Sequence, residues 1–358
     1  MSMPQHEMGG SVLLGGMATF NVLNGFVESL VRGMRSGFLS DADYHHMSQC
    51  ETLEDVKLNL QETDYGSVLA NEAVMTPSIL EAKALQKLVT EFHYLRSHAV
   101  HPVTTFLDYI TYEYMIENVM LLLRGTLSGR NVNELMAQCH PLGMFKESTM
   151  KSIPTFEASA RGYAELYETV LVDTPVGPYF QRYLDSQAAQ MSNAGEVRTV
   201  LEEVQIEILK NSLMKLYLED FYTFCEKMGG DTADIMCSLL RAKADRYSIS
   251  ITLNSFGTPL NDPAMRETDR KKLYPSIGEL YPAGIDLLSR VDEDSKLVAA
   301  LSSFPAYRTM FEKLMNSSPG ASLVPVLLSQ ALLSSLSSLL LLLLLTCPFA
   351  STSQTISP

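Results

Sequence analysis

Apolar residues recur along this chain at intervals of three and four, the spacing that gathers them on one face of an α-helix. Leu85, Leu88, Phe92 and Leu95 form one such series, and Ile206, Leu209, Leu213, Tyr217, Phe221 and Phe224 form another. Between them, Phe106 to Leu123 is apolar on nearly every side, with only Asp108, Glu113 and Glu117 charged. That pattern predicts a helix packed against several neighbours, since too many polar groups interrupt it for a membrane span. Ser40 with Asp43, and Thr52 with Asp55, each pair a hydroxyl with an acid three residues on. A hydroxyl there accepts an orphan backbone N–H, and the acid suits the positive end of the helix dipole. Long alternating runs of strand type are missing. Glycine and proline instead punctuate the helical stretches, as at His140-Pro141-Leu142-Gly143 and Thr174-Pro175-Val176-Gly177. The pattern predicts an all-α fold.

A faint repeat overlies these helices. Leu60 precedes Thr63-Asp64-Tyr65-Gly66 by three residues, Leu171 precedes Thr174-Pro175-Val176-Gly177 by three, and Leu301 precedes Phe304-Pro305-Ala306-Tyr307 by three. Each copy closes an amphipathic stretch, as expected for related helical lobes. After Lys313 the chain changes character. No Asp, Glu, Lys or Arg follows it, and Leu323 to Leu345 is dominated by leucine and serine.

At 358 residues the chain is long enough for one large domain or two ordinary ones. The formal net charge of −14 sits wholly before the uncharged tail. Such acidity argues against non-specific nucleic-acid binding, which needs Lys and Arg to neutralise phosphates. The five cysteines (Cys50, Cys139, Cys225, Cys237 and Cys347) are odd in number and form no CxxC pair. A reducing, cytosol-facing environment is therefore expected. The apolar patch Ser11 to Phe20 is short, broken by glycine and not preceded by a basic region. Met1 to Thr19 is therefore expected to be a flexible extension rather than a signal peptide.

Catalytic motifs are absent: there is no GxxxxGK[ST], GxSxG or HExxH, and no GxGxxG following a strand. His93, His98 and His101, with Asp108 beyond, are the nearest thing to a metal set, but a five-residue step turns His93 and His98 away from a common face. His45, His46 and Cys50 lack the further partners that zinc requires. Cys139-His140 offers sequence adjacency without the geometry of a nucleophilic pair. Glu113 and Glu117, one helical turn apart, form a candidate paired-carboxylate site, against the simpler expectation of a polar stripe on a mostly buried helix. Tyr109, Tyr112 and Tyr114 are expected to pack their rings and hydrogen-bond their hydroxyls. No catalytic residue, metal ligand or cofactor-binding residue is assigned.

Longer runs carry a resemblance. Cys50-Glu51-Thr52-Leu53-Glu54-Asp55-Val56-Lys57-Leu58, continuing to Thr63-Asp64-Tyr65-Gly66 and Leu69-Ala70-Asn71-Glu72, resembles subunit d of the vacuolar-type proton-pumping ATPase. So do Phe20-Asn21-Val22 with Asn24-Gly25, Tyr114-Met115-Ile116 with Asn118-Val119, and Cys139-His140-Pro141-Leu142-Gly143. Ala244-Asp245-Arg246, Ile251 to Thr258 and Leu280-Tyr281-Pro282 continue it, collinear from about Phe20 to about Phe311. The resemblance implies three related helical lobes in a pseudo-threefold funnel, shared with the C protein of archaeal-type ATPases. It implies a non-catalytic subunit of the membrane (V0) sector that couples rotor rotation to the proteolipid c ring. The implied partners are that ring, the central rotor subunits D and F, and other subunits of the pump. Its implied place is the cytosolic face of vacuolar, lysosomal, endosomal or other acidic membranes, reached through the complex.

Three departures qualify the likeness. Met1 to Thr19 precedes the usual start, Ala188 to Thr199 looks like an insertion, and the uncharged tail replaces a charged, aromatic-rich closing segment. Residues 20–313 are thus expected to form the body, with its third lobe truncated, and 314–358 to lie outside it. Loss of the closing helices is expected to expose apolar surface around Leu297, Leu301 and Phe304, and so to weaken that lobe. The alternative is a tail-anchored adaptor using Leu323–Leu345 as its membrane segment. Against this, the pyrimidine-rich codons of Leu, Ser, Pro and Phe favour intron read-through, an alternative exon or a gene-model error.

Overall fold

The computed structural model describes residues 17–153, 168, 171–191, 203–305 and 307–309. Among the described residues every regular element is helical and no strand occurs, as the apolar spacing predicts. The helices group into two compact units, the first ending at Leu107 and the second beginning at Asp108.

The first unit holds α1 (Met17–Ser36), α2 (Asp41–Ser48), α3 (Leu53–Gln61), α4 (Gly66–Leu69) and α5 (Pro77–His98). Both sequence-predicted starts are complete capping boxes. Ser40 Oγ accepts from Asp43 N at 3.3 Å while Asp43 Oδ2 accepts from Ser40 N at 2.7 Å. Thr52 and Asp55 exchange the same two bonds, each 3.2 Å long. Leu60, Leu69 and Met75 form the core between α3, α4 and α5, with Leu53, Val56, Ile79 and Leu80 packed round them. α6 (Val103–Leu127) begins in this unit and runs on into the second.

The second unit continues with α7 (Val132–Gln138), α8 (Glu147–Ser152), α9 (Gly177–Met191), α10 (Glu203–Met228) and α11 (Gly230–Ser255). α10 and α11 form a long hairpin that turns at Gly229. Short pieces follow: α12 (Pro263–Met265), a π-helical turn Arg266–Arg270, α13 (Lys271–Leu273), α14 (Ala283–Leu288) and α15 (Asp294–Leu301). They close over the end of α11 through Ile249, Leu253, Leu273, Tyr274, Leu280, Ile285 and Leu288. This closure corrects the expectation of bared apolar surface there. Leu297 and Leu301 are 2% and 1% exposed, and Phe304 packs against the same cluster. Leu297 and Leu301 of α15 share that cluster with Ile285 and Leu288 of α14.

A fully buried arginine ties these short pieces together. Arg270 donates through Nη2 to the carbonyls of Leu288, Ser289 and Val291 at 2.9, 3.1 and 2.7 Å. Through Nη1 it reaches Ser255 Oγ at 2.7 Å and Asn261 Oδ1 at 3.2 Å. A planar fork with five donors suits the carbonyls that cluster at the end of α14, of which Leu288 O also accepts from Val291 N at 3.2 Å.

The three repeat positions share a local geometry. The carbonyls of buried Leu60, Leu171 and Leu301 accept from the backbone N–H three residues on, at 3.1, 2.9 and 3.0 Å. In the first two copies the threonine hydroxyl adds a second bond to the same carbonyl, 2.7 Å long at both Thr63 and Thr174. Gly66 and Gly177 follow, and at each a Cβ would overlap a carbonyl of the preceding helix end. In the third copy the helix resumes earlier, at Pro305, and Tyr307 stands where the other two have glycine. Ala306, most of Met1–Thr19, most of Ala188–Thr199 and all of 314–358 lie outside the described residues.

Candidate functional site

The histidines and cysteines of the first unit are engaged locally. His98 Nδ1 lies 2.9 Å from the Tyr94 carbonyl, and its ring packs against Tyr94 and Phe26. His101 pairs with Thr105 Oγ1 at 3.1 Å, and His93 has its ring edge against Phe92. His45 meets Gln49 at 3.1 Å, while the Cys50 thiol donates to the His46 carbonyl at 3.5 Å. Among the described residues no three His, Cys, Asp or Glu side chains are grouped to hold a metal ion.

In the second unit Cys139 and His140 do not form a nucleophilic pair. Burial pushes the Cys139 thiol up and the His140 imidazole down, the reverse of what a thiolate–imidazolium pair needs. The site is structural. His140 stacks on Tyr114 with ring centroids 3.9 Å apart. Asn118, 2% exposed, accepts from His140 N at 2.7 Å and donates to its carbonyl at 2.9 Å.

The paired carboxylates are where chemistry concentrates. Glu113 forms a direct ion pair with Lys243 of α11, the two side chains being only 15% and 14% exposed. Glu117, one turn further along α6, keeps surface open to solvent although protein packs closely around it. Burial lifts its carboxyl above the usual range and Glu113 adds to the rise, while Lys210 of α10 and Lys243 oppose it. Burial lowers the Arg246 guanidinium, and Glu113 partly restores it. Tyr114, Tyr217 and Tyr247 are pushed upward chiefly by burial, then by Glu113. The result is a charged wall built by α6, α10 and α11.

The sequence marked Arg246 only as part of a family motif and did not single out Lys243 or Tyr247, although their spacing of three and four marks one face of α11. The three tyrosines pack their rings as expected, and Tyr109 also uses its hydroxyl. Tyr109 donates to Asp220 Oδ2 at 3.0 Å and lies parallel to Phe221 at 5.0 Å, and Tyr112 packs against Tyr109 and Tyr179. Among the described residues no helix is long and apolar enough to cross a membrane. Leu323–Leu345 lies outside them.

Residues 27–341 match the family model described as "ATP synthase (C/AC39) subunit". The chain belongs to that family. The match reaches 341, beyond the Phe311 at which the run of resembling motifs fades. Within this AC39 family, the chain is 44% identical over 300 residues to "Probable V-type proton ATPase subunit d" of Oryza sativa subsp. japonica, covering 83% of this chain and 79% of the relative. It is 43% identical over 304 residues to "V-type proton ATPase subunit d" of Dictyostelium discoideum, covering 84% and 79%. With the protein of that name in Saccharomyces cerevisiae it shares 40% over 296 residues, covering 82% and 80%. Two of the motifs that carry the family likeness meet in space. Asp245, from Ala244-Asp245-Arg246, is 2% exposed and accepts from the backbone N–H groups of Glu279 and Leu280, each at 3.0 Å. The second group belongs to Leu280-Tyr281-Pro282.

Proposed function

We propose that this chain is a non-catalytic subunit of a V-type proton ATPase, acting in the membrane (V0) sector as subunit d. There it passes rotation of the central rotor, subunits D and F, to the proteolipid c ring, so that ATP hydrolysed elsewhere drives proton transport. The observation that carries this reading is 40–44% identity, over about four-fifths of each chain, to proteins named V-type proton ATPase subunit d. A body of packed helices with a charged wall supports it, because a coupler needs stiffness and protein interfaces rather than a nucleophile. The three corners at Leu60, Leu171 and Leu301 favour three related lobes, the third ending early. Residues 314–358 are proposed to lie outside the fold, and the extension that begins at Met1 to lead into α1, whose first turn already includes Met17 to Thr19. The protein sits peripherally on the cytosolic face of an acidic organelle membrane, held by the rest of the complex.

Co-purification tests the assignment. In cells lacking their own subunit d, the full chain and a chain ending at Lys313 should both bring down the proteolipid ring. Alkaline carbonate should release both from membranes. A full chain that resists carbonate and brings down no proteolipid would contradict the proposal and point to a tail-held adaptor.

A further inference from the structure

One carboxylate in the second unit carries two phenols from two other helices. Asp220, on α10, accepts from Tyr109 Oη on α6 at 3.0 Å and from Tyr179 Oη on α9 at 2.9 Å, both at the same oxygen, Oδ2. These partners stand 111 and 41 residues from Asp220 in sequence. Rings surround the junction: Tyr109 packs on Phe221 at 5.0 Å and Phe224 at 4.8 Å, and Tyr179 meets Tyr112 and Tyr217, both at 6.4 Å. Tyr179 is 3% exposed and follows directly on the Thr174–Gly177 corner, so its bond fixes where that corner delivers α9.

Apolar packing is non-directional, so ring contacts alone define the relative register of helices less sharply than hydrogen bonds do. Hydrogen bonds are directional, and two that converge on one oxygen from different helices remove that freedom. Burial, followed by the Asp220 charge, pushes both phenols above the ordinary tyrosine range, so both stay protonated donors at physiological pH.

Building on the coupling role proposed above, we infer that Asp220, Tyr109 and Tyr179 form a torsional lock, a set of positioning residues that fixes the register of α6, α9 and α10 so that torque crosses the second unit without slip. Tyrosine-to-phenylalanine changes are the clean perturbation. They keep ring volume and stacking and delete only the directional bonds.

The test uses the whole complex in vesicles from cells lacking their own subunit d, with ATP hydrolysis and proton uptake measured on the same vesicles. Tyr109→Phe with Tyr179→Phe should leave assembly and hydrolysis intact and lower the protons moved per ATP. Each single change should give a smaller loss. Asp220→Asn, whose amide oxygen can still accept both phenols, should keep the ratio, and Asp220→Leu should lose it. An unchanged ratio in the double phenylalanine variant at normal assembly would overturn the lock. So would a fall in assembled complex with a normal ratio per complex, which is the mark of a merely structural role. Failure of the unaltered chain to assemble would instead count against the assignment to the proton pump.

Discussion

Gly278→Ala should destabilise the second unit through one contact, and the size of the effect follows from the geometry around Asp245. Gly278 has φ +118°, a conformation that L residues rarely adopt, and a Cβ there would overlap Asp245 Oδ1. The backbone strain alone is worth about 1–3 kcal/mol. The carboxylate cannot swing aside freely. Oδ1 is held by Leu280 N, and Oδ2 by Glu279 N and by Tyr307 Oη, each at 3.0 Å. Displacing it leaves at least one buried amide unpaired, at about 1–3 kcal/mol. The two effects sum to about 2–6 kcal/mol, a large share of the roughly 5–15 kcal/mol typical of a folded domain. In an Asp245→Ala background the overlap is gone, and Gly278→Ala should cost only the strain, about 1–3 kcal/mol. Urea denaturation of the four proteins closes the double-mutant cycle. Equal costs of Gly278→Ala in both backgrounds would refute the contact.

Glu117→Gln probes the charged wall through pH. The folded chain holds the Glu117 carboxyl above its ordinary value of 4.5, so the native state binds that proton more tightly than the unfolded state does. The stability this contributes is present in acid and lost as pH rises through the folded-state value. Glu117→Gln removes the loss, and its stability relative to the unaltered protein should therefore climb from acidic to neutral pH; a flat difference in urea midpoints would count against it. Thr52→Ala deletes a capping-box hydroxyl and should cost about 1 kcal/mol, within a range of about 0.5–2; calorimetry would show no change if α3 were capped otherwise. Arg270→Lys cannot span all five acceptors with a single ammonium. Leaving two unpaired at about 1–3 kcal/mol each predicts a loss of about 2–6 kcal/mol, whereas a near-neutral result would deny the clamp.

What the sequence revealed was local. The Ser40–Asp43 and Thr52–Asp55 boxes, and the corners after Leu60 and Leu171, act within a few residues, and the spacing alone discloses them. The Glu113–Lys243 pair bridges 130 residues, and the Tyr109–Asp220 bond 111, so no periodicity along α6 could name either partner. Glu113 and Glu117 looked like one stripe, but Lys243 takes one of them and leaves the other facing solvent. The exposure expected at Leu297 and Leu301 failed because both join the cluster built from the end of α11 and the short helices after it, a packing that the chain's apolar pattern does not specify.

The measurement closest to the central proposal is ATP-driven proton uptake by vesicles from cells whose own subunit d has been replaced with this chain. A coupling role predicts that uptake is restored, that it is abolished by collapse of the proton gradient, and that the chain is found with the proteolipid ring. Vesicles that hydrolyse ATP normally with this chain bound, yet move no protons, would contradict the account.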